Sequence, residues 1–372
     1  MSDARYVPIR AIPYVRLLRR VFTGPGTIES VACHKQIIWP RETVRAKPAI
    51  CLPGQIDRII DRAADSPSPN AKEIAQVTSA TLTHGPTVAY HIKNATLVNG
   101  CIYRKNLKYL ISEVSRTKIS DRSVRLKTGA LVSSYLGTKF FGHWLADDSS
   151  RHLLADHMGL PAIGVRGRRY HHQTQYQHIF GQPWNLIDAA NIEDLFVFCD
   201  YSQNRHKRQR YASLRKRIKG QFKSESGERL VYLRRGRTGV PRLIQNEDEI
   251  LDYLTKHGFS VIDIERDPLD RIVSTLLSAR IVLSLGGSHV AHCIYAVPEN
   301  SGLIVMQPPN RFSAIYRDWA ECTGFRFGYT VGAVAEQGYY FSLRDIAATV
   351  DLMVNTLSRE HTRDMEDRIA AA

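Results

Sequence analysis

Residues 279–307 read ARIVLSLGGSHVAHCIYAVPENSGLIVMQ. Two aliphatic runs, 280–285 and 303–306, flank a glycine turn and a short segment with helical spacing. An apolar run, a helix and a second apolar run are typical of a βαβ unit with two parallel strands. This stretch therefore predicts a parallel sheet, and the carboxyl ends of parallel strands are where ligands bind.

The same alternation continues on both sides of this stretch. Further strands are predicted at 230–233, 259–264 and 325–329, and helices at 246–257, 267–277 and 311–322. Strands and helices that alternate at this spacing predict a Rossmann-like sheet with helices on both faces.

The first half of the chain has a different pattern. Short strand-like runs over 80–134 precede a helix predicted near 138–158, and a basic segment at 204–223 has one apolar stripe. Residues 6–22 mix aliphatic residues with arginines, and Pro8 and Pro13 favour a strand and turn there over a basic membrane-surface element. We expect an N-terminal domain at 1–225, β-rich at its start and α/β afterwards. A Rossmann-like domain at 226–340 and a terminal helix at 341–372 follow.

Composition limits the classes of partner. Of the 372 residues, 43% are hydrophobic and 23% are charged, which is typical of a globular protein and excludes a disordered or fibrous chain. Lys and Arg number 51 and Asp and Glu 36, for a net charge of +15. Such a chain attracts polyanions, anionic membrane surfaces or phosphorylated substrates.

The cysteines and the hydropathy pattern indicate an intracellular protein. The six cysteines are scattered without a C-x-x-C pair, which favours free thiols. The N-terminal residues lack an apolar signal segment, and the longest uncharged stretch, 281–298, is too polar to span a bilayer. We therefore expect a cytoplasmic protein, either soluble or peripheral on the inner face of the membrane.

The loops after three strands of the predicted parallel sheet carry groups that bind anions. In chain order these groups are Arg234, Arg235, Gly286, Gly287, Ser288 and Arg311. Guanidinium groups donate in pairs to phosphate oxygens, and glycines let backbone amides approach an anion closely. A diphosphate fits this combination, although neither a G-x-G-x-x-G nor a Walker A motif is present.

His143 and Asp147 form a second candidate site. They are four residues apart and so share one helix face, where a carboxylate can orient an imidazole that acts as a general base. The alternative is a His at a helix start with an ordinary surface partner. His171, His172 and His178 lack thiolates or carboxylates at metal-ligand spacing. His289 and His292 have a spacing that could bind a metal, but two histidines beside a glycine loop are more often polar packing, so no metal site is predicted.

Three segments together resemble the family 61 glycosyltransferases. Residues 141–147, FGHWLAD, resemble the H-W-x-x-D signature of that family. Tyr232-Leu233-Arg234-Arg235, followed by Arg242 and then Asn246-Glu247, resembles its Arg-Arg and Asn-Glu block. The 279–307 stretch resembles its glycine turn and final strand. Leu285 stands where the family commonly has His, and Ala291 and His292 stand where it has Asn.

The resemblance implies a GT-B-like α/β architecture of two Rossmann-like domains facing a cleft. It also implies inverting transfer from a nucleotide sugar, without a cofactor or a bound metal. Arg234, Arg235, Asn246 and the 286–288 turn would bind the donor, and His143 and Asp147 would lie on the acceptor side. The acceptor would be a glycan or lipid-linked saccharide in capsular or surface polysaccharide synthesis.

Two other classes remain open at this stage. The basic charge and the 204–223 segment fit a nucleic-acid-binding protein, although no helix-turn-helix, RRM or zinc pattern is present. The second open class is a scaffold protein that has kept the glycosyltransferase fold and lost the transferase activity.

Overall fold

The computed structural model describes residues 11–60, 70–113, 123–237 and 239–370. The chain forms two compact units, one of residues 1–42 and 85–206 and the other of residues 43–84 and 207–372. The described helices are α1 (Ile12–Thr23), α2 (Ile28–Val31), α3 (Asn70–Thr78), α4 (Tyr135–Lys139), α5 (Phe141–His143), α6 (Ser149–His157), α7 (Gln173–Ile179), α8 (Arg205–Gln221), α9 (Glu247–Lys256), α10 (Leu269–Leu277), α11 (His292–Ala296), α12 (Ile315–Thr323) and α13 (Leu343–Ala370).

The described strands are β1 (His34–Trp39), β2 (Glu42–Arg45), β3 (Thr81–His84), β4 (Thr87–Val98), β5 (Cys101–Arg104), β6 (Leu107–Leu110), β7 (Val124–Leu131), β8 (Ala162–Gly164), β9 (Asn185–Leu186), β10 (Ala189–Cys199), β11 (Arg229–Arg234), β12 (Phe259–Asp263), β13 (Ala279–Leu285), β14 (Gly302–Gln307), β15 (Arg326–Val331), β16 (Ala333–Ala335) and β17 (Gly338–Tyr340).

The first unit contains a mixed eight-stranded sheet in the order β6-β5-β4-β10-β7-β8-β9, with β1 also paired to β4. β4 is antiparallel to β1, β5 and β10, whereas β10, β7, β8 and β9 are mutually parallel. Asn99 and Gly100 both have positive φ, which gives β4 and β5 a tight hairpin turn. The β-rich start is therefore present, but this sheet differs from the Rossmann-like sheet expected here because the hairpin reverses the chain.

The second unit contains the parallel sheet that the sequence predicts. Its order is β12-β11-β13-β14-β15, and all neighbouring pairs are parallel. α9 and α13 pack on one face, where Ile250 and Met353 join strand residues such as Leu283 in a buried core. The strand order reverses between β11 and β13, so the two carboxyl ends flank a topological switch point.

Residues 43–84 belong to the second unit, although the sequence assigns them to the N-terminal domain. Ile50 pairs with Gly328 of β15 and exchanges backbone hydrogen bonds of 2.9 Å with Phe327 and Tyr329. A Cβ on Gly328 would lie 2.9 Å from the Ile50 carbonyl oxygen, so a glycine permits this approach. The compact units therefore divide at 42/43, 84/85 and 206/207 rather than at 225 and 340, and α13 packs within the second unit.

The N-terminal segment differs from the predicted strand and turn. Residues 6–10 lie outside the described residues, and Ile12–Thr23 forms a helix. Pro13 is compatible with this helix because a proline in the first turn removes no intrahelical hydrogen bond.

Candidate functional site

The structure brings the predicted anion-binding loops to one edge of the second unit's sheet. Parallel pairing places the carboxyl ends of β11, β13 and β14 side by side. Arg234 and Arg235 end β11, Gly286 follows β13, and Arg311 lies in the loop after β14. These groups therefore share the edge that holds the switch point.

Two arginines converge on the glycine turn. Arg235 Nη1 donates to the Gly286 carbonyl at 3.1 Å, and its Nη2 donates to the Val240 carbonyl at 2.8 Å. Arg242 Nη1 donates to the same Gly286 oxygen. Because neutral carbonyls accept these bonds, they orient both guanidinium groups without cancelling their charge.

The electrostatics around Arg235 reflect this concentration of cations. Burial, together with the neighbouring charges of Arg242 and Arg311, lowers its pKa to about 10. The negative charge of Glu265 raises the pKa of Arg235 instead. Arg235 is still protonated at pH 7, so the turn lies beside a partly buried positive charge that a bound anion would stabilise.

Because Gly287 has no side chain, the guanidinium group of Arg235 can pack against it. A Cβ there would lie 1.9 Å from Arg235 Nη1 and 2.8 Å from His289 Nδ1. The backbone of Gly287 is extended, at φ 175°, so contact rather than strain requires the glycine. The turn is therefore built around the guanidinium group.

Arg234 has different surroundings from Arg235. Its Nε and Nη2 donate to the two carboxylate oxygens of Glu247 at 3.2 and 2.8 Å, and its Nη1 lies 3.6 Å from Asp263. The hydrogen bond to Glu247 is the main cause that raises the pKa of Arg234. Carboxylates thus already neutralise the arginine that the sequence grouped with Arg235.

The side-chain amide of Asn246 forms hydrogen bonds with the backbone of Phe341. Its amide donates to the Phe341 carbonyl at 2.8 Å and accepts from the Phe341 N–H at 3.2 Å. The side chain is buried and ties the start of α9 to the segment before α13. The structure therefore gives Asn246 a structural contact rather than a position facing a donor.

The helix expected after the glycine turn is short. Ser288–Ala291 is a four-residue 3-10 helix that continues into the five residues of α11. Ser288 is half-buried at its start. The helix contribution to anion binding is correspondingly small, and the arginines dominate the charge at this edge.

His289, which the sequence suggests is polar packing rather than a metal ligand, is a buried neighbour of the glycine turn. Its Nε2 lies 2.8 Å from Ser284 Oγ, and that hydroxyl donates to the Leu233 carbonyl at 2.8 Å. These contacts assign the Nε2–H tautomer. Burial, followed by the charges of Arg235, His292 and Arg242, lowers the pKa of His289 well below its usual value. The ring is therefore neutral at pH 7.

A cavity of about 510 Å³ opens at this edge of the second unit. Arg235 and Arg242 line one part of it, and Asp263 and Glu265 at the end of β12 line another. The cavity therefore offers cations for phosphate oxygens and carboxylates that accept from sugar hydroxyls.

His143 and Asp147 meet in the first unit. His143 Nδ1 lies 2.8 Å from Asp147 Oδ2, and the two side chains are 25% and 6% exposed. The predicted helix over 138–158 is interrupted, because Phe140 is extended and Trp144–Asp148 forms a π-helical turn. π turns are frequent at functional sites. The pair thus presents a partly exposed imidazole held by a buried carboxylate.

A buried network holds the start of this segment. Ser134 donates to Asp148 from its hydroxyl at 2.6 Å and from its N–H at 3.1 Å, and Arg151 Nη1 donates at 2.7 Å. Burial raises the pKa of Asp148 to about 6, against the opposing effects of Arg151 and Ser134. A Cβ on Gly137 would lie 1.9 Å from the carboxylate. Neither this network nor the role of Gly137 is visible as a motif in the sequence.

A larger cavity of about 670 Å³ lies elsewhere in the first unit. Its charged lining is largely paired, with Lys139 bound to Glu113 at 3.0 Å and Arg166 to Asp188 at 2.9 Å. His143 and Asp147 are not among its lining residues.

The basic segment predicted at 204–223 is the helix α8, and part of its charge is buried. Lys207, Arg210 and Arg215 are each at most 5% exposed. Arg215 donates to the carbonyls of Ile294 and Val297 at 3.0 and 2.6 Å. The other cations of α8, which are Arg205, Arg208, Lys216, Arg217 and Lys219, are exposed, so only part of its charge is buried.

Within the described ranges, no three or more His, Cys, Asp or Glu side chains cluster in a way that could hold a metal ion. The helices of the described part of the chain include none long and apolar enough to cross a membrane. All six cysteines lie in the described ranges and are free thiols.

The fold of the second unit and its edge residues define an α/β protein with a cluster of arginines at the switch point of a parallel sheet. The glycosyltransferase 61 family model matches residues 141–304, a stretch that includes His143, Asp147, Arg235 and the glycine turn. The match, over less than half of the chain, supports the resemblance to that family seen in the sequence.

Other comparisons add little. No curated protein sequence matches the chain. Among solved structures, a mutant flavo di-iron protein from Thermotoga maritima is similar at 11% identity and a TM-score of 0.27. The similarity covers 73% of this chain and 64% of that protein, and it carries no argument.

Proposed function

We propose that the protein is an inverting, metal-independent glycosyltransferase, which moves a sugar from a nucleotide-sugar donor to a glycan or lipid-linked saccharide. Its product would be a capsular or surface polysaccharide, made on the cytoplasmic side of the membrane. In the GT-B-like division of labour, the second unit binds the donor and the first supplies the base.

The proposed donor site rests on one observation. Arg235 and Arg242 both donate to the Gly286 carbonyl, at the switch point of the parallel sheet. Like charges held this close repel each other, and the carboxylate of Glu265 offsets this only in part, since the pKa of Arg235 is lowered on balance. A donor diphosphate at this edge would supply the further negative charge and explain the arrangement.

The other edge residues complete the proposed donor site. Arg311 adds a third cation, and Ser288 offers a hydroxyl and a backbone N–H beside the turn. Asp263 and Glu265 at the end of β12 would accept from donor hydroxyls, as a carboxylate after a neighbouring strand does in dinucleotide sites. Arg234 acts indirectly by orienting Glu247 and Asp263.

His143 would act as the general base on the acceptor. Its Nδ1 is held by Asp147, which leaves Nε2 to take the proton of an acceptor hydroxyl. The acceptor oxygen then attacks the anomeric carbon as the bond to the diphosphate oxygen breaks. This single displacement inverts the configuration, and the arginines stabilise the charge of the leaving diphosphate.

Of the two alternatives, nucleic-acid binding has the weaker structural basis because α8 buries part of its charge. An inactive scaffold makes a distinct prediction, since Arg235→Ala would then change no activity.

The test is a panel of radiolabelled nucleotide sugars, incubated with the protein and EDTA and assayed for hydrolysis and transfer. We expect turnover of at least one donor that the chelator does not abolish. Arg235→Ala should reduce this turnover about 10- to 100-fold, the value of one or two charge-assisted hydrogen bonds. Arg280→Ala removes an arginine near the amino end of β13 and serves as the matched control. Equal losses in both variants would contradict the donor site.

A further inference from the structure

The helix α1 has an exposed apolar face. Tyr14, Leu18, Val21 and Phe22 are 71%, 63%, 73% and 85% exposed. At spacings of four, three and one, these four side chains project from one side of an α-helix. Large apolar side chains gathered in this way on a surface mark a site of interaction.

The start of the same helix is fastened to the first unit. Ile12 is buried in a small core with Val98, Cys101, Tyr103 and Ala189. The four exposed residues are not members of this core. α1 is therefore anchored to the first unit at Ile12, and its four apolar side chains are exposed.

The charge of α1 identifies the chemistry of the partner. Its sequence, IPYVRLLRRVFT, contains Arg16, Arg19 and Arg20 and no acidic residue. A basic, amphipathic helix with aromatic and aliphatic side chains on one face is the composition of helices that lie in the interface of anionic membranes. A nucleic acid would match the arginines but not the apolar face.

The length of α1 excludes a span. Twelve residues of α-helix extend about 18 Å, and the hydrocarbon core of a bilayer is about 30 Å thick. A helix of this length fits in the plane of the interface, where its apolar side chains reach the acyl chains, and a sequence with three arginines and no acidic residue suits anionic headgroups.

We propose that α1 binds the surface of an anionic phospholipid bilayer, with Tyr14, Leu18, Val21 and Phe22 inserted at the headgroup boundary. This attachment would bring the enzyme to a lipid-linked acceptor, and only that consequence rests on the proposed function. The binding itself requires no transferase activity.

The experiment is sedimentation of the full-length protein with vesicles of phosphatidylglycerol and phosphatidylcholine, compared with vesicles of phosphatidylcholine alone. We expect the protein to sediment with the anionic vesicles and less with the neutral ones. The double variant Leu18→Glu, Phe22→Glu should lose roughly tenfold or more in partition, because it removes two inserted side chains. Ile37→Glu, Val334→Glu makes the same change of charge at exposed sites elsewhere and should lose much less.

A spectroscopic readout separates insertion from attraction by net charge. Phe22→Trp should add fluorescence emission that shifts to the blue with anionic vesicles, measured against the wild type and its four native tryptophans. The proposal is overturned if the wild type ignores anionic vesicles, or if both double variants lose binding equally. It is also overturned if the wild type is a dimer that Leu18→Glu, Phe22→Glu dissociates, since the face would then bind a second copy. Melting temperatures show that each variant is folded.

Discussion

Arg234 and Arg235 are adjacent in the sequence, yet their guanidinium groups have opposite surroundings. Arg234 is paired with Glu247 and Asp263, whereas Arg235 shares the Gly286 carbonyl with Arg242. Successive side chains at the end of a strand point to opposite sides, so two identical residues reach different partners. The proposed donor site therefore depends on Arg235 and Arg242.

At the same scale, we predict that His143→Ala lowers kcat by about 10²- to 10⁴-fold, which is the usual contribution of a general base. The melting temperature should change little, because the side chain is partly exposed and contributes little to the core. Steady-state kinetics with the best donor measures the first effect and thermal unfolding the second.

His157→Ala is the control for this variant. His157 is exposed at the end of α6 and makes no contact with Asp147 in the network described above. A loss of activity in both variants, or in neither, would show that His143 is not the base.

At the scale of elements, the turn between β13 and α11 is shaped by the side chain that fills it. We predict that Gly287→Ala lowers kcat/KM about tenfold, because its Cβ would displace the guanidinium group of Arg235 and weaken about one hydrogen bond. The new Cβ would also lie 2.8 Å from Nδ1 of the buried His289 ring, so the melting temperature should fall as well. Gly220→Ala, where nothing lies within 4 Å of the new Cβ, should keep full activity.

The helix α12 contains a buried carboxylate that links stability to pH. Burial raises the pKa of Asp318 from 3.8 to about 6, against a hydrogen bond from Gln76 and the charge of Arg317. The folded state thus holds this proton more tightly than the unfolded chain does. The corresponding stability is fully present below about pH 4 and is lost as the pH rises through about 6.

Asp318→Asn should therefore gain in melting temperature relative to the wild type as the pH rises from about 4.5 to about 7.5, since an amide cannot ionise. Differential scanning calorimetry at the two pH values measures the change. Asp252→Asn, at an exposed carboxylate bound to Lys256, is the control and should show no comparable trend. A difference between Asp318→Asn and wild type that is constant with pH would contradict the assignment.

On the scale of the whole molecule, the parallel sheet could be predicted because its strands are largely apolar runs that alternate with amphipathic helices. The shared edge of Arg235, Gly286 and Arg311 followed from that topology. The membership of residues 43–84 in the second unit could not be predicted, because Ile50 pairs with β15 across more than 270 residues of chain. No local pattern encodes such a pairing.

The contacts of the candidate site residues could likewise be predicted only in part. The spacing of His143 and Asp147 was enough to predict their contact, which the structure contains. The partners of Arg234 and Asn246 were not predictable, because Glu247, Asp263 and Phe341 are brought to them only by tertiary packing. Arg242 was part of the family pattern, and its convergence with Arg235 on one carbonyl oxygen emerges only in three dimensions.

Isothermal titration calorimetry of nucleoside diphosphates with EDTA present tests the central claim most directly. The account predicts that at least one diphosphate binds the wild type, that Arg235→Ala weakens it about 10- to 100-fold, and that Arg280→Ala leaves it unchanged. Absence of binding by every diphosphate, or equal affinity of the wild type and Arg235→Ala, would contradict it.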